Sequence, residues 1–277
     1  MVKPFCKWAG GKRRMAKYII NAFPEKYKSF YEPFVGGGFI FFKLLELKRF
    51  KRAVLGDTNI DLMTAFSVIR DHVDNVIRLM KTNNYSYSKT RFLEIRKQNV
   101  KLLDPIERTA RFLYLNHTSF NGLYRLNRLG QFNVPFGKYN NPIICNEKGL
   151  REVSEALKGV HFICEDFEQV LSDIKKGDAA YLDPPYIPIS KTSKFTQYNG
   201  INFTESDHWR LRGCFGRLVN LGVRTVLTNS SAPLSYRLYE DFKIIELSGA
   251  RVIGGPASYR NKVKELLIIG EERNNVK

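Results

Sequence analysis

Cysteine is scarce in this chain: four in 277 residues, at positions 6, 145, 164 and 214. No two make a C-x-x-C pair and none stands near a histidine at zinc spacing. That excludes a zinc ribbon or finger and a disulfide scaffold. The cysteines read as reduced, small apolar residues of a reducing compartment. The four histidines, at 72, 117, 161 and 208, lack partners at ligand or triad spacing and read as structural or surface groups. Long apolar runs are missing too. The N-terminal stretch reaches Lys7, Lys12, Arg13 and Arg14 without one, so neither a signal peptide nor a membrane span is expected, and the chain reads as cytoplasmic. Internal repeats and low-complexity tracts are absent. Acids are outnumbered: 27 Asp and Glu face 45 Lys and Arg, a formal net charge of +18. That balance favours a polyanionic partner, nucleic acid foremost.

Core material, in contrast, is plentiful. Apolar residues make up 43% and aromatics 13%, enough for one large domain or two small ones. Residues 29–35 read as a short buried strand that ends in Gly36-Gly37-Gly38. An apolar helix (FIFFKLLEL) and a second strand (52–57) follow. From Asp61 the apolar spacing is helical, and residues 89–99 fit another helix. Asp104-Pro105 with Glu107 has the form of a helix start. LYRLN and FNVPF flank RLGQ as a hairpin would. Strands resume at 160–166, 178–186, 223–231, 242–247 and 264–270, with a helix over FTESDHWRLRGCFGRLVNLG. About 100 residues thus interrupt an alternating strand–helix pattern that needs only ~10–12 for a crossover. They read as an insert at 58–155, within a domain formed by 1–57 and 156–277.

Two places carry chemistry. EPFVGGGF joins a strand to a helix, where glycines let backbone approach a ligand and the helix start offers free N–H groups. Asp57 ends the next strand, at the distance from the glycines where a ribose-binding acid stands. Position 41 is Phe rather than the third glycine of a dinucleotide fingerprint, so a nucleoside such as S-adenosylmethionine suits the turn better than a dinucleotide. A plain strand-end turn with a solvated Asp has the same form. The second place is Asp183-Pro184-Pro185-Tyr186, which closes the strand AAYLD. A proline turn is one reading. Methylation of an exocyclic amine is the other: Asp183 and the Pro184 carbonyl can accept the two N–H bonds of the amine, and Tyr186 offers a stacking face for an extruded base.

Six segments in this order resemble the DNA adenine-N6 methyltransferases of the Dam type, in the alpha group of amino-methyltransferases. They are KWAGGK (7–12), EPFVGGG (32–38), GDTN (56–59), FNGLYRLNRLGQFNVPFGKY (120–139), EDFE (165–168) and DPPY (183–186). The resemblance runs from Lys7 to about Ile269. It implies an α/β fold: a Rossmann-like S-adenosylmethionine-dependent methyltransferase sheet with an inserted, mainly helical target-recognition domain (58–155) carrying a β-hairpin. It also implies the substrate, the N6 amine of a flipped-out adenine, with GATC the usual target. Asp183, Pro184 and Tyr186 match catalytic positions. Trp8, Lys12, Gly36, Gly38, Asp57, Asp166 and Asp183 match cofactor-binding ones. Lys7, Leu123, Arg125, Pro135 and Tyr139 match base-reading positions, and Phe120 and Asn121 the wedge beside the flipped base. Thr118 and Ser119, just before the wedge, depart from the family pattern.

The residues of the insert agree with this reading. Residues 108–142 hold Arg108, Arg111, Arg125, Arg128 and Lys138 and no acid, which suits phosphates and bases. Leu123, Arg125 and Asn127 alternate onto one face, where Arg can pair with guanine. Residues 187–202 read as a lid over the base, and 249–262 as a similar basic loop. The expected partner is double-stranded DNA, with no metal, no membrane, no obligate protein partner, and a monomer or weak dimer. Methylation of an RNA or of a cytosine amino group, or sequence-specific DNA binding without turnover, are the alternatives.

Overall fold

The computed structural model describes residues 2–127, 129–189, 203–249 and 263–272. Arg128, most of the expected lid and nearly all of the 249–262 loop lie outside these residues. In chain order the first elements are α1 (Ala16–Asn21), β1 (Ser29–Glu32), α2 (Phe39–Glu46) and β2 (Arg52–Gly56). Then come α3 (Ile60–Met80), α4 (Lys89–Lys97), α5 (Pro105–Thr118), α6 (Glu147–Ala156) and β3 (His161–Ile163). The chain continues through α7 (Phe167–Val170), β4 (Ala179–Leu182), α8 (Glu205–Asn220), β5 (Arg224–Ser230), α9 (Pro233–Leu238), β6 (Phe242–Gly249) and β7 (Val263–Glu272).

The seven strands form one sheet in the order β3-β2-β1-β4-β5-β7-β6. The first five strands pair in parallel, and β7 lies antiparallel between β5 and β6. β4 is buried on both faces, as a central parallel strand requires. Connections run outward from β1 towards β3 and from β4 towards β5. The β1/β4 boundary is therefore the switch point, outside whose carboxyl ends α/β sheets hold their ligands.

Local chemistry fixes the helix starts. Asn59 caps α3 by accepting from the Asp61 and Leu62 amides. Asp104 and Glu107 form a complete capping box on α5, with Pro105 in its first turn. α2 starts from Gly38 in the left-handed region (φ 71), a conformation that favours glycine. One apolar cluster is continuous from Phe30 and Leu55 in the sheet through Phe41 in α2 to Phe66 in α3 and Phe112 in α5. The segment between β2 and β3 thus shares its core with one face of the sheet. A second cluster, with Leu182, Phe215, Leu227 and Tyr239, covers the other face.

Residues 119–127 and 129–137 pair as an antiparallel ribbon through isolated bridges rather than as continuous strands. Bridges join Leu126 to Phe132 and Ser119 to Phe136, and the Asn127 amide donates to the Gln131 carbonyl at 2.8 Å. All four cysteines are free; Cys6 and Cys214 are buried, whereas Cys164 is exposed and so is no core residue. Among the described residues no helix is long and apolar enough to cross a membrane.

His208 is 1% exposed and neither ring nitrogen has a partner among the described residues. Burial lowers its pKa to about 4, against a smaller opposing pull from Asp207. The unfolded chain therefore binds the extra proton first, and stability falls as pH drops from about 6.5 towards 4. His208→Phe should flatten that slope. In urea titrations from pH 7 to pH 4 the wild type should lose about 2–3 kcal/mol relative to the variant. Parallel pH profiles would contradict a buried neutral imidazole.

Candidate active site

Three neighbouring parallel strands deliver an acid to the carboxyl end of the sheet: Glu32 closes β1, Asp57 follows β2 and Asp183 follows β4. Asp183 is 20% exposed and both its oxygens are engaged. Lys12 forms an ion pair with Oδ2 at 2.9 Å, and the Thr228 hydroxyl donates to Oδ1 at 2.7 Å. Burial raises the Asp183 pKa, and these two neighbours oppose that shift. Thr228 has one proton and gives it to Asp183, so the buried Tyr181 hydroxyl, 2.9 Å behind it, must donate to Thr228.

Lys12 is itself held in place. Its ammonium donates to the Gly10 carbonyl at 2.7 Å and lies 4.6 Å from the Tyr186 ring centroid, over its face. The Tyr186 hydroxyl donates to Glu265 of β7 at 2.8 Å. The chain after the tetrapeptide is pinned to β5: the Ile187 amide donates to Asn229 Oδ1 at 3.0 Å, and Ser230 Oγ donates to the Ile187 carbonyl. These contacts fix Asp183, Pro184 and Tyr186 on one rigid platform.

The glycine turn lies beside it. The Gly36 amide donates to Asp57 Oδ2 at 3.2 Å and the Asn59 amide to Oδ1 at 2.9 Å. Burial outweighs these donors and lifts Asp57 to about 6. Trp8 packs on the turn so closely that a Cβ on Gly36, which has φ +48, would stand 2.6 Å from the indole. Gly38 has φ +71 and starts α2. Glu32 is 2% exposed; its pKa is raised well above the ordinary value by burial first and by the Asp183 charge second. Its Oε2 has no partner among the described residues. A buried acceptor left over, a carboxylate behind the glycine turn and an aromatic floor fit a ligand with hydroxyl and ammonium donors, as S-adenosylmethionine has. Asp166 caps α7, and its Oδ1 also accepts from Arg210 at 2.8 Å. It is tied into a surface ion-pair group with Glu168 and Asp207.

The residues expected to read DNA gather around the ribbon and the N-terminal segment. Asn116, fully buried on α5, accepts from the Lys7 amide and donates to the Lys7 and Gly122 carbonyls. The Lys7 ammonium stands over the Tyr139 ring, and the Tyr139 hydroxyl donates to the Ser119 carbonyl. Phe120 is 51% exposed beside Asn121, whose φ of 54 is unusual for a residue other than glycine. The Pro135 carbonyl accepts from the Phe120 amide. Leu123 is half-buried, and Arg125 is exposed with its Nε donating to Asn133 Oδ1 at 2.8 Å.

Two expected phosphate contacts, Arg108 and Arg111, turn out otherwise. Arg108 pairs with buried Asp61, which also accepts from Tyr124. Arg111 is 2% exposed and donates to the Ile95 and Arg96 carbonyls. Both arginines hold the segment together and are not free for phosphates. Thr118 and Ser119 turn inward, onto the Tyr114 and Leu123 carbonyls. Among the four histidines, His117 lies between the Ile144 and Phe5 carbonyls, which fits a structural role. Thr228, Glu265, Tyr181 and Glu32 were not anticipated as site residues. Nothing in the sequence of β5 singles out Thr228, since Thr225, Asn229 and Ser230 put other polar side chains in the same strand.

Residues 8–253 match the profile of the D12 class N6 adenine-specific DNA methyltransferases. The chain is 39% identical over 273 residues to the Type II methyltransferase M1.LlaDCHI of Lactococcus lactis subsp. cremoris, covering 96% of this chain and 95% of that protein. It is 37% identical to the Type II methyltransferase M.MjaIII of Methanocaldococcus jannaschii, with 97% and 99% covered. To the DNA adenine methylase of Haemophilus influenzae it is 33% identical, with 96% and 93% covered. The chain belongs to the D12 class of N6 adenine-specific DNA methyltransferases.

Removing the Thr228 hydroxyl leaves one Asp183 oxygen without its donor, a loss of about 1.5–3 kcal/mol for a bond to a charged group. Thr228→Val should therefore slow single-turnover methylation by about 10- to 100-fold, with Tyr181→Phe slowing it less. Duplex affinity, measured by gel shift, should not change. A Thr228→Val enzyme as fast as wild type would show that Lys12 alone sets the carboxylate.

Proposed function

We propose that this D12-class chain methylates adenine N6 within GATC, on a base turned out of the duplex against Asp183, Pro184 and Tyr186. Residues 1–57 and 156–277 act as the catalytic unit in this reading, and 58–155 as the target-recognition unit. The observation that carries it is the position of Asp183-Pro184-Pro185-Tyr186: at the carboxyl end of β4, next to the β1 glycine turn, across the switch point of the sheet. Trp8, Lys12, Glu32, Gly36, Gly38 and Asp57 would hold S-adenosylmethionine, with Asp166 at the rim. The cofactor supplies an electrophilic methyl group when bound.

The chain's own residues make the amine reactive. The adenine N6 lone pair is conjugated into the ring and must be freed as the nitrogen becomes tetrahedral. Asp183 and the Pro184 carbonyl accept its two N–H bonds, and each Asp183 oxygen keeps a lone pair for this beyond its Lys12 or Thr228 contact. Partial burial makes Asp183 a better acceptor than a solvated carboxylate, and the Lys12 ion pair favours its charged form. Tyr186 offers its ring to the base. Its hydroxyl is occupied by Glu265, so stacking is its role and proton transfer is not. Holding both reactants in line is the larger part of such catalysis.

Exposed Phe120 and Asn121 in its left-handed turn support a wedge beside the extruded base. Exposed Arg125 supports readout of a guanine, and half-buried Leu123 with exposed Pro135 supports contact with a thymine methyl. GATC rests on the likeness of this ribbon to the Dam type. Lys7 and Tyr139 brace the ribbon from below and complete the reading surface. The protein works in this reading as a cytoplasmic, DNA-associated monomer or weak dimer.

Asp183→Ala should abolish methyl transfer in single turnover while gel-shift affinity for a GATC duplex survives. Near wild-type methylation would overturn the mechanism, and equal loss of binding would make Asp183 structural. Tyr186→Phe should keep much of the activity and Tyr186→Ala far less.

Arg125→Ala should relax discrimination at one guanine by about 1–3 kcal/mol. Sequencing modified adenines from a methylation-free host tests both the target and this relaxation. Uniform weakening on all near-cognate sequences would make Arg125 a phosphate contact.

A further inference from the structure

We propose that the amino-terminal end of the sheet carries a second DNA-binding face: a basic cleft that takes the phosphate backbone of a duplex segment other than the one being methylated. The cleft has a volume of about 1560 Å³ and is lined by the segments entering β1 (25–29), β2 (47–52) and β4 (173–178). Seven of its sixteen lining residues are Lys or Arg, against 45 in 277 for the whole chain. High net charge spread evenly would place two or three there.

Lys26, Lys28, Lys48, Lys51, Arg52 and Lys175 are all exposed, and none forms an ion pair among the described residues. The cleft's acids do little to offset them. Asp178 is 5% exposed and turned inward, accepting from the Ser29 and Lys175 amides, which leaves Glu25 and Asp173. Attraction to a helix C-terminus accounts for Lys48, which follows α2 with φ 53. It does not account for Lys28, Arg52 or Lys175, because the parallel strand ends they flank carry only a small dipole.

Position separates this cleft from the catalytic end. The strands are parallel, with Ser29, Arg52 and Ala179 at one end and Glu32, Gly56 and Leu182 at the other. Four or five residues at about 3.3 Å each put ~13–17 Å of buried sheet between the two. A straight duplex across the carboxyl ends and the 119–137 ribbon cannot also lie in a cleft at the opposite end.

The chemistry favours a phosphate row over a small anion. The volume exceeds the ~300–1000 Å³ of ordinary small-ligand sites. The cations sit on flexible stems, which suits backbone neutralisation with release of counterions and no sequence readout. An enzyme that holds one segment at each end of its sheet can pass between distant sites on the same DNA without dissociating fully.

The test is a two-duplex capture with the full chain at low salt. A short duplex carrying the methylation site is fixed to beads, and a labelled duplex of unrelated sequence is free. Wild type should retain the free duplex. Lys26→Gln, Lys28→Gln, Lys51→Gln and Lys175→Gln combined should cut retention at least tenfold, while single-turnover methylation of one short duplex stays within about twofold. That unchanged rate also shows the variant is folded. Retention equal to wild type would overturn the proposal, since bridging would then come from another face or from a dimer. So would a wild type that retains nothing while binding the bead duplex, or displacement by inorganic phosphate at matched ionic strength as readily as by duplex. A parallel loss of methylation would place the cleft on the substrate track and overturn it equally.

Discussion

A carboxylate at the end of a buried strand has to be kept charged, and the catalytic end of the sheet is arranged around that need. Burial pushes Asp183 towards its neutral form; Lys12 and Thr228 push back. Thr228 is local, one strand away on β5. Lys12 is not: it comes from a segment ahead of α1 that must fold across the switch point. That segment is held by Trp8 against the glycine turn and by Asn116 of α5, which clasps the backbone of Lys7. The ion pair therefore depends on the sheet and on the helices inserted between β2 and β3 at once. The apolar cluster continuous between them supplies the rigidity.

Three acids on adjacent strand ends would repel one another if all were ionised. The structure supports their charges unequally. Asp183 has a cation and a hydroxyl, and Asp57 has backbone amides and lies near 6. Glu32 has the least support and its pKa is raised well above the carboxylate range, partly by Asp183 itself. Burial and the Asp183 charge thus push Glu32 towards its neutral form, while Lys12 and Thr228 pull Asp183 the other way.

The sequence made the sheet, the glycine turn and the DPPY strand legible because each has strong local punctuation. Apolar runs end at glycine, proline or aspartate, and periodicity changes between them. α5 was readable down to its capping box. The helices α1, α7 and α9 were not, since four to six residues carry too little periodicity, and α6 was missed as well. Nor was the place of β7, because strand order depends on pairing far along the chain. Arg108 and Arg111 show the limit for function. Their charge and spacing resembled a DNA-facing stretch, yet a buried Asp61 and two helix-end carbonyls claim them. Thr228 and Glu265 escaped notice for the opposite reason: each is an ordinary strand residue until pairing sets β5 beside β4 and β7 beside β5.

β7 is made after every other described strand of the sheet but occupies a slot inside it, between β5 and β6. Until it arrives, β5 has an open edge, β6 has no partner, and the Tyr186 hydroxyl lacks Glu265. The chain's excess of positive charge is present as it is made, whereas the tyrosine platform is locked only once β7 is in place. The order of synthesis separates attraction to a polyanion from competence to modify it. A chain cut short before β7 would keep the first property and lack the second.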